Sequence, residues 1–235
     1  MEVTLTNCWR IDDAVARYDT PALKALVDLN RPFAGLQQFA PAGRTIDATM
    51  QILGVGLNEP EPWTPSLAEC YGRGRDLVAT YPQTDARPFR LQAYWHVVDV
   101  GQGTLADVTA CVELQVSINT SLLDTAPTVV VGNLLPAEEA VDLPAYQGCA
   151  TVVRPRGAAW SYVQIVHPVD YSRPCDTSQT PAGLQLRSTL FGRYLEKGVI
   201  MRARVRGAIV ARARDEAAAT ALYNDFLHAP LPLTT

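Results

Sequence analysis

A chain of 235 residues with 48% hydrophobic and 19% charged residues carries enough apolar material for a large core and no compositional basis for disorder. Its formal net charge of -4 argues against nucleic-acid or anionic-membrane partners engaged through overall charge. No apolar run is long enough to span a bilayer, and the opening MEVTLTNCWRIDD lacks a basic segment followed by an apolar one, so we expect a cytoplasmic protein folded as one domain over residues 1–235.

Reading along the chain, residues 22–29, ALKALVDL, alternate at Leu23, Ala25, Val27 and Leu29 as a strand would. They equally set Leu23, Leu26 and Val27 on one helical face after a Thr20-Pro21 helix-start pair, and pattern alone leaves both open. Three prolines within residues 58–66 predict a long surface connection, and residues 71–76, YGRGRD, read as a turn. From Arg90 the period-2 signal is clear. Leu91, Ala93, Trp95 and Val97 share one face and Arg90, Gln92, Tyr94 and His96 the other. After a Gly101-Gln102-Gly103 turn, Val112, Leu114, Val116 and Ile118 alternate with Glu113, Gln115, Ser117 and Asn119.

Residues 128–131 form a short β-branched run ended by Gly132-Asn133, and residues 134–144 read as a loop with one helical turn at 137–141. In residues 158–166, Trp160, Tyr162 and Gln164 oppose Ser161, Val163 and Ile165, with less decisive polarity. Residues 171–183 read as an exposed loop, followed by two long strands, 184–197 and 199–212, meeting at Gly198. The second sets Met201, Ala203, Val205 and Ile209 against Arg202, Arg204 and Arg206. Residues 215–227, acidic in their first turn and apolar at Ala218, Leu222 and Phe226 beside Ala221, predict a helix stopped by Pro230 and Pro232.

Nucleotide-binding loops, hydrolase elbows and zinc-protease motifs are missing from the sequence. Five widely spaced cysteines without a CxxC pair predict reduced thiols, and three scattered histidines define neither a metal site nor a cofactor. The expected settings are a helix C-terminal contact for His228, an exposed loop for His167, and the polar face of an amphipathic strand for His96. If the strands around Gln92, Glu113, Trp160 and Arg204 share one sheet with these faces aligned, aromatics, amides, a carboxylate and arginines gather on one surface, which is the chemistry of sugar recognition. The competing reading is an ordinary solvated face. Arginines two apart lie only about 6.5–7 Å from each other, so Arg202, Arg204 and Arg206 require anionic neighbours, which we expect from an acidic strand around Glu113 or Glu196, with an anionic ligand as the alternative.

The stretches RGRDLVATYP at 73–82, RPFRLQAYW at 87–95, ELQVSINTSLLD at 113–124, YVQIVHPVDY at 162–171 and LEKGVIMRARVRG at 195–207, with the PLPLTT ending, resemble an uncharacterised bacterial family similar to the galactose-mutarotase-like group. The resemblance implies a mostly β fold, a large antiparallel β-sandwich (supersandwich) with a concave sheet face and the C-terminal α-helix, and it favours a strand over residues 22–29. Its relatives epimerise sugars, cleave polysaccharides or bind carbohydrate. The mutarotase pattern of two histidines and a glutamate has no aligned counterpart, although His96, His167 and Glu113 supply the residue types.

The expected function is carbohydrate interaction through that face, with Arg90, Gln92, Tyr94, His96, Glu113, Gln115, Trp160, Tyr162, Arg204 and Arg206 as ligand-binding candidates and Tyr94, His96 and Glu113 as catalytic ones. The alternatives are an enzyme acting on an anionic sugar, of epimerase or lyase type, or a non-catalytic protein-interaction scaffold.

Overall fold

Strand alternation has a structural consequence only when neighbouring strands bring their apolar faces to the same side, and two eight-stranded antiparallel sheets do this here. The computed structural model describes residues 7–57, 63, 65–143, 146 and 149–230.

The first sheet runs in the order β1 (Trp9–Asp12), β2 (Val15–Asp19), β3 (Leu23–Asp28), β4 (Leu36–Pro41), β5 (Gln51–Leu57), β11 (Thr128–Leu135), β16 (Gly183–Phe191), β15 (Asp176–Thr180). The second runs β12 (Ala140–Asp142), β13 (Ala150–Val153), β14 (Trp160–Val166), β18 (Ile200–Ala211), β9 (Val108–Asn119), β8 (Arg90–Val97), β7 (Asp76–Tyr81), β6 (Glu69–Arg73). A two-stranded ribbon joins β10 (Asp124–Thr125) to β17 (Leu195–Glu196). The fold is the mostly β sandwich expected from sequence, with one α-helix, α1 (Asp215–His228), at its C-terminal end.

Between the sheets, Leu91, Ala93 and Trp95 of β8 and Val112, Leu114, Val116 and Ile118 of β9 pack against Phe39, Ile52 and Val55 of the first sheet. A second core lies on the outer face of the second sheet. There Ala218, Ala219, Leu222 and Phe226 of α1 cover Val163 and Ile165 of β14 and Ala208 and Val210 of β18. These outward positions are apolar because the helix shields them from water, which explains the indecisive polarity of residues 158–166. The helix start is fixed by Asp215, whose carboxylate accepts bonds from Arg154 (2.9 and 3.1 Å) and the Ser161 hydroxyl (2.7 Å).

The open choice at 22–29 resolves as a strand, β3 (Leu23–Asp28), the side the resemblance favoured, since alternation buries Leu23, Ala25 and Val27 against the core. Several other local expectations are corrected. The run at 128–131 continues past Gly132-Asn133 to Leu135 through an irregularity in its pairing with β5. The helical turn at 137–141 is absent, and Ala140–Asp142 is a short edge strand pairing with β13. Residues 171–183 contain edge strand β15, polar because one side of it faces solvent.

The strands meeting near Gly198 are not hairpin partners. β16 ends at Phe191 and Gly192, both at positive φ, and β18 enters the other sheet. Residues 71–76 turn at Gly74 inside the β6–β7 hairpin. The connection expected at 58–66 lies largely outside the described residues.

Candidate functional site

The outward residues of β8, β9 and β18 form rows fixed by strand register. His96, Glu113 and Arg206 make one row; Tyr94, Gln115 and Arg204 the next; Gln92, Ser117 and Arg202 a third; Arg90, Asn119 and Ile200 the last. β7 and β6 extend the first row with Asp76 and Arg73. Eight of the ten ligand-binding candidates therefore share one face. Trp160 and Tyr162 do not: β14 lies in the same sheet but with the opposite parity, so its aromatic side enters the inter-sheet core.

Tyr162 is fully buried, and its hydroxyl donates to Asn133 Oδ1 (2.7 Å), which also accepts the Leu53 N–H (3.0 Å). The Asn133 amide donates to Gln164, and Gln164 Nε2 donates to Ser188 Oγ (2.7 Å), closing a polar bridge between the sheets. Gly207 permits this crossing, since a Cβ there would lie 2.5 Å from the Tyr162 hydroxyl. Tyr162 is thus a sheet-to-sheet pin and not a ligand contact.

The shared face divides into a covered and an open half. In the covered half, Glu113 (4% exposed) meets Arg206 at 3.1 Å and Arg204 at 3.8 Å, while Arg206 also pairs with Asp225 of α1 at 2.6 Å. Arg204 donates to the Ala229 carbonyl at 3.1 Å, and both guanidinium groups lie over the Phe226 ring. Two of the three ladder arginines, Arg204 and Arg206, are answered by Glu113 across the strands, and none by Glu196, which pairs in register with Asp124 in the small ribbon. Arg204 and Arg206 are consumed in docking α1.

Beside them, a cleft of about 630 Å³ is lined by Asp76, Tyr94, His96, Glu113, Asp225 and His228. His96 Nδ1 lies 2.7 Å from Asp76 Oδ1, which leaves the far ring nitrogen to meet a ligand, and the Tyr94 ring stacks parallel to the imidazole. Burial alone would raise the Asp76 carboxyl, but bonds from His96 and Tyr94 and the charges of His96 and Arg73 hold it below its ordinary value. Burial, then the bond to Asp76, pushes the Tyr94 phenol far up, so at neutral pH it is a neutral hydrogen-bond donor. The arrangement is an imidazole oriented by a carboxylate, able to accept or donate one proton.

The open half is a depression of about 330 Å³ lined by Tyr71, Arg90, Gln92, Gln115, Ser117 and Arg202. Gln115 is 1% exposed and its Oε1 has no hydrogen-bond partner among the described residues. Among the described residues Arg90 and Arg202 make no ion pair, in contrast to Arg73, Arg204 and Arg206 on the same face. Candidate selection by type missed Asp76, Asp225 and Tyr71, which reach the face from β7, α1 and β6. The parity of residues 76–80 was the only available signal for Asp76.

The remaining histidines differ in environment. His228 contacts the Asn224 carbonyl in the last turn of α1 (2.8 Å), the terminal contact expected. His167 is not on an exposed loop. It is 4% exposed against the edge of Phe226, and burial together with the charge of Arg204 pushes its pKa down to about 4. Nearby, burial pushes the Asp170 carboxyl up to about 6 against the pull of the Arg204 N–H and guanidinium.

These two groups act oppositely on stability. Between pH 4 and 6.5 the folded state binds fewer protons at His167 than the unfolded chain, so stability rises with pH. Between pH 3.8 and 6 it binds more protons at Asp170, so stability falls with pH. The Tm of Asp170→Asn relative to the parent should therefore increase from pH 4 to pH 6.5, read by calorimetry across a pH series; a constant difference would sink this assignment.

No protein family model and no curated protein matches the chain by sequence. Solved structures do match. The "putative mutarotase (YeaD)" from Salmonella typhimurium aligns with a TM-score of 0.53 at 9% identity, covering 90% of this chain and 96% of that one. The heparan sulfate lyase HepC from Pedobacter heparinus aligns at 0.51 and 8% identity over 88% of this chain, which spans 37% of the lyase. At such identities the likeness shows the fold, a mutarotase-like supersandwich.

Proposed function

We propose that the protein binds a carbohydrate on the open half of the outer face of the second sheet. The observation that carries this reading is Gln115, whose buried Oε1 lacks a donor among the described residues and which lines a depression together with Arg90, Arg202, Gln92, Ser117 and Tyr71. A buried acceptor without a partner is costly, and a ligand hydroxyl satisfies it. The guanidinium groups and the Gln92 amide supply further donors, and the Tyr71 ring offers an apolar face to a pyranose. The mutarotase and the lyase among the structural neighbours add support of fold alone.

A glycan array followed by calorimetric titration tests the reading. A sugar bound by the parent should bind Gln115→Leu and Arg202→Ala at least about tenfold more weakly, the scale of one or two lost hydrogen bonds. No bound sugar on the array, or unchanged affinity in both variants, refutes it.

An enzymatic reading is favoured by one feature, the carboxylate-oriented His96 next to Tyr94. On that reading the anionic group of a sugar is met by Arg90 and Arg202, because Arg204 and Arg206 are already paired. His96→Ala should then retain binding while losing about a hundredfold or more of turnover, followed by NMR of the bound sugar. A parent that leaves every bound sugar unaltered excludes this version.

A further inference from the structure

The opposite side of the sandwich carries a second groove, of about 420 Å³, on the outer face of the first sheet. Its floor is strand backbone. Gly56 of β5 stands opposite Val130 of β11, and Gly132 of β11 stands between Gly54 of β5 and Arg187 of β16.

Gly54 is glycine for a packing reason, since a Cβ there would lie 2.0 Å from the Phe33 carbonyl oxygen. No such reason applies to the other two. Among the described residues a Cβ at Gly132 would meet nothing within 4 Å and one at Gly56 would meet only Phe33 Cβ at 3.8 Å, and neither residue has a positive φ. Glycine inside a strand is destabilising relative to alanine. Where neither backbone conformation nor packing asks for it, its remaining use is to let another molecule approach the backbone.

What surrounds the floor defines the ligand. Phe33 and Trp63 line its two ends, Trp63 with the Arg87 guanidinium over its ring and Tyr81 beside it, and Gln185 and Arg187 line it from β16. A groove lined by both apolar side chains (Phe33, Leu57, Trp63, Val130, Leu134) and polar ones (Gln51, Thr180, Gln185, Arg187), of a size within the roughly 300–1,000 Å³ of small-molecule sites, complements a molecule with one C–H face and a rim of hydroxyls. We propose that this groove is a second carbohydrate site, which seats a neutral pyranose ring on Gly56 and Gly132 between Phe33 and Trp63. The inference is independent of the site on the second sheet.

The test is an NMR titration of the full chain with neutral malto-, cello-, xylo- and chito-oligosaccharides. The Gly56 and Gly132 amides and the Trp63 indole should shift saturably with at least one of them. Gly132→Val should fold with an unchanged or higher Tm, because its Cβ enters open space, and should weaken that binding at least tenfold. Arg202→Ala should leave it unchanged. The proposal is overturned if no sugar moves these resonances, if a planar nucleotide such as AMP does so in place of every sugar, or if folded Gly132→Val binds like the parent. Should Gly132→Val not fold, Gln185→Ala takes its place, with tenfold weakening supporting the site and parent-like binding overturning it.

Discussion

Replacing Glu113 by alanine should cost about 3–5 kcal/mol of folding stability, the range for removing one partner from a buried ion pair. The reason is geometric. Glu113 is the carboxylate between Arg206 at 3.1 Å and Arg204 at 3.8 Å, and those side chains are 3% and 7% exposed. Without it, Arg206 keeps Asp225, the Leu222 carbonyl and the Phe226 ring, and Arg204 keeps the Ala229 carbonyl and the same ring, all contributed by α1 and the residue after it. At roughly 2–4 °C per kcal/mol for a chain of this size, Tm should fall on the order of 10 °C. The double variant Glu113→Leu with Arg206→Met should be milder than Glu113→Ala, because it removes the closer charge and its partner together, frees the partly solvated Asp225 and leaves Arg204 its Ala229 carbonyl and Phe226 ring. Chemical denaturation of both variants decides; a loss under about 1 kcal/mol in Glu113→Ala would show the cluster to be better solvated than its burial implies.

Asn133→Ala is the second severe substitution. One side chain satisfies the Leu53 N–H, the Tyr162 hydroxyl and Gln164 Oε1 between the two sheets. Each buried polar group left without a partner costs about 1–3 kcal/mol, so the sum should exceed about 3 kcal/mol. Tyr162→Phe should lose only about 1 kcal/mol, because Asn133 Oδ1 still accepts from Leu53. Equal effects of the two variants in urea titration would contradict a shared network. Because Tyr162 lies on the core side, neither variant should alter sugar binding on the outer face at temperatures where both are folded.

The legible part of this protein was the part governed by local periodicity. In β8, in β9 from Val112 onward and in β18 from Met201 to Arg206 the apolar and polar parities are unmixed, so burying the apolar side left Arg90, Gln92, Tyr94, His96, Glu113 and Gln115 no choice of face. The same holds for α1, whose Ala218, Leu222 and Phe226 stripe had to find an apolar surface. β14 could not be read this way. Its two faces are both apolar enough to bury, one against the other sheet and one against the helix, and the choice between them depends on residues far away in sequence.

The division of the candidate site was equally beyond local pattern. Arg202, Arg204 and Arg206 are equivalent by parity, yet α1 returns over the last two and stops short of the first. Asp76 meets His96 only through the β7–β8 register, and His167 is buried only because Phe226 arrives beside it. Sequence alone thus determined which residues of each amphipathic strand are outward, since a two-residue repeat is a property of the chain itself. Which outward residues remain open to a ligand was decided by the tertiary structure, because covering a sheet face is the work of elements distant in sequence, and alternation carries no information about them.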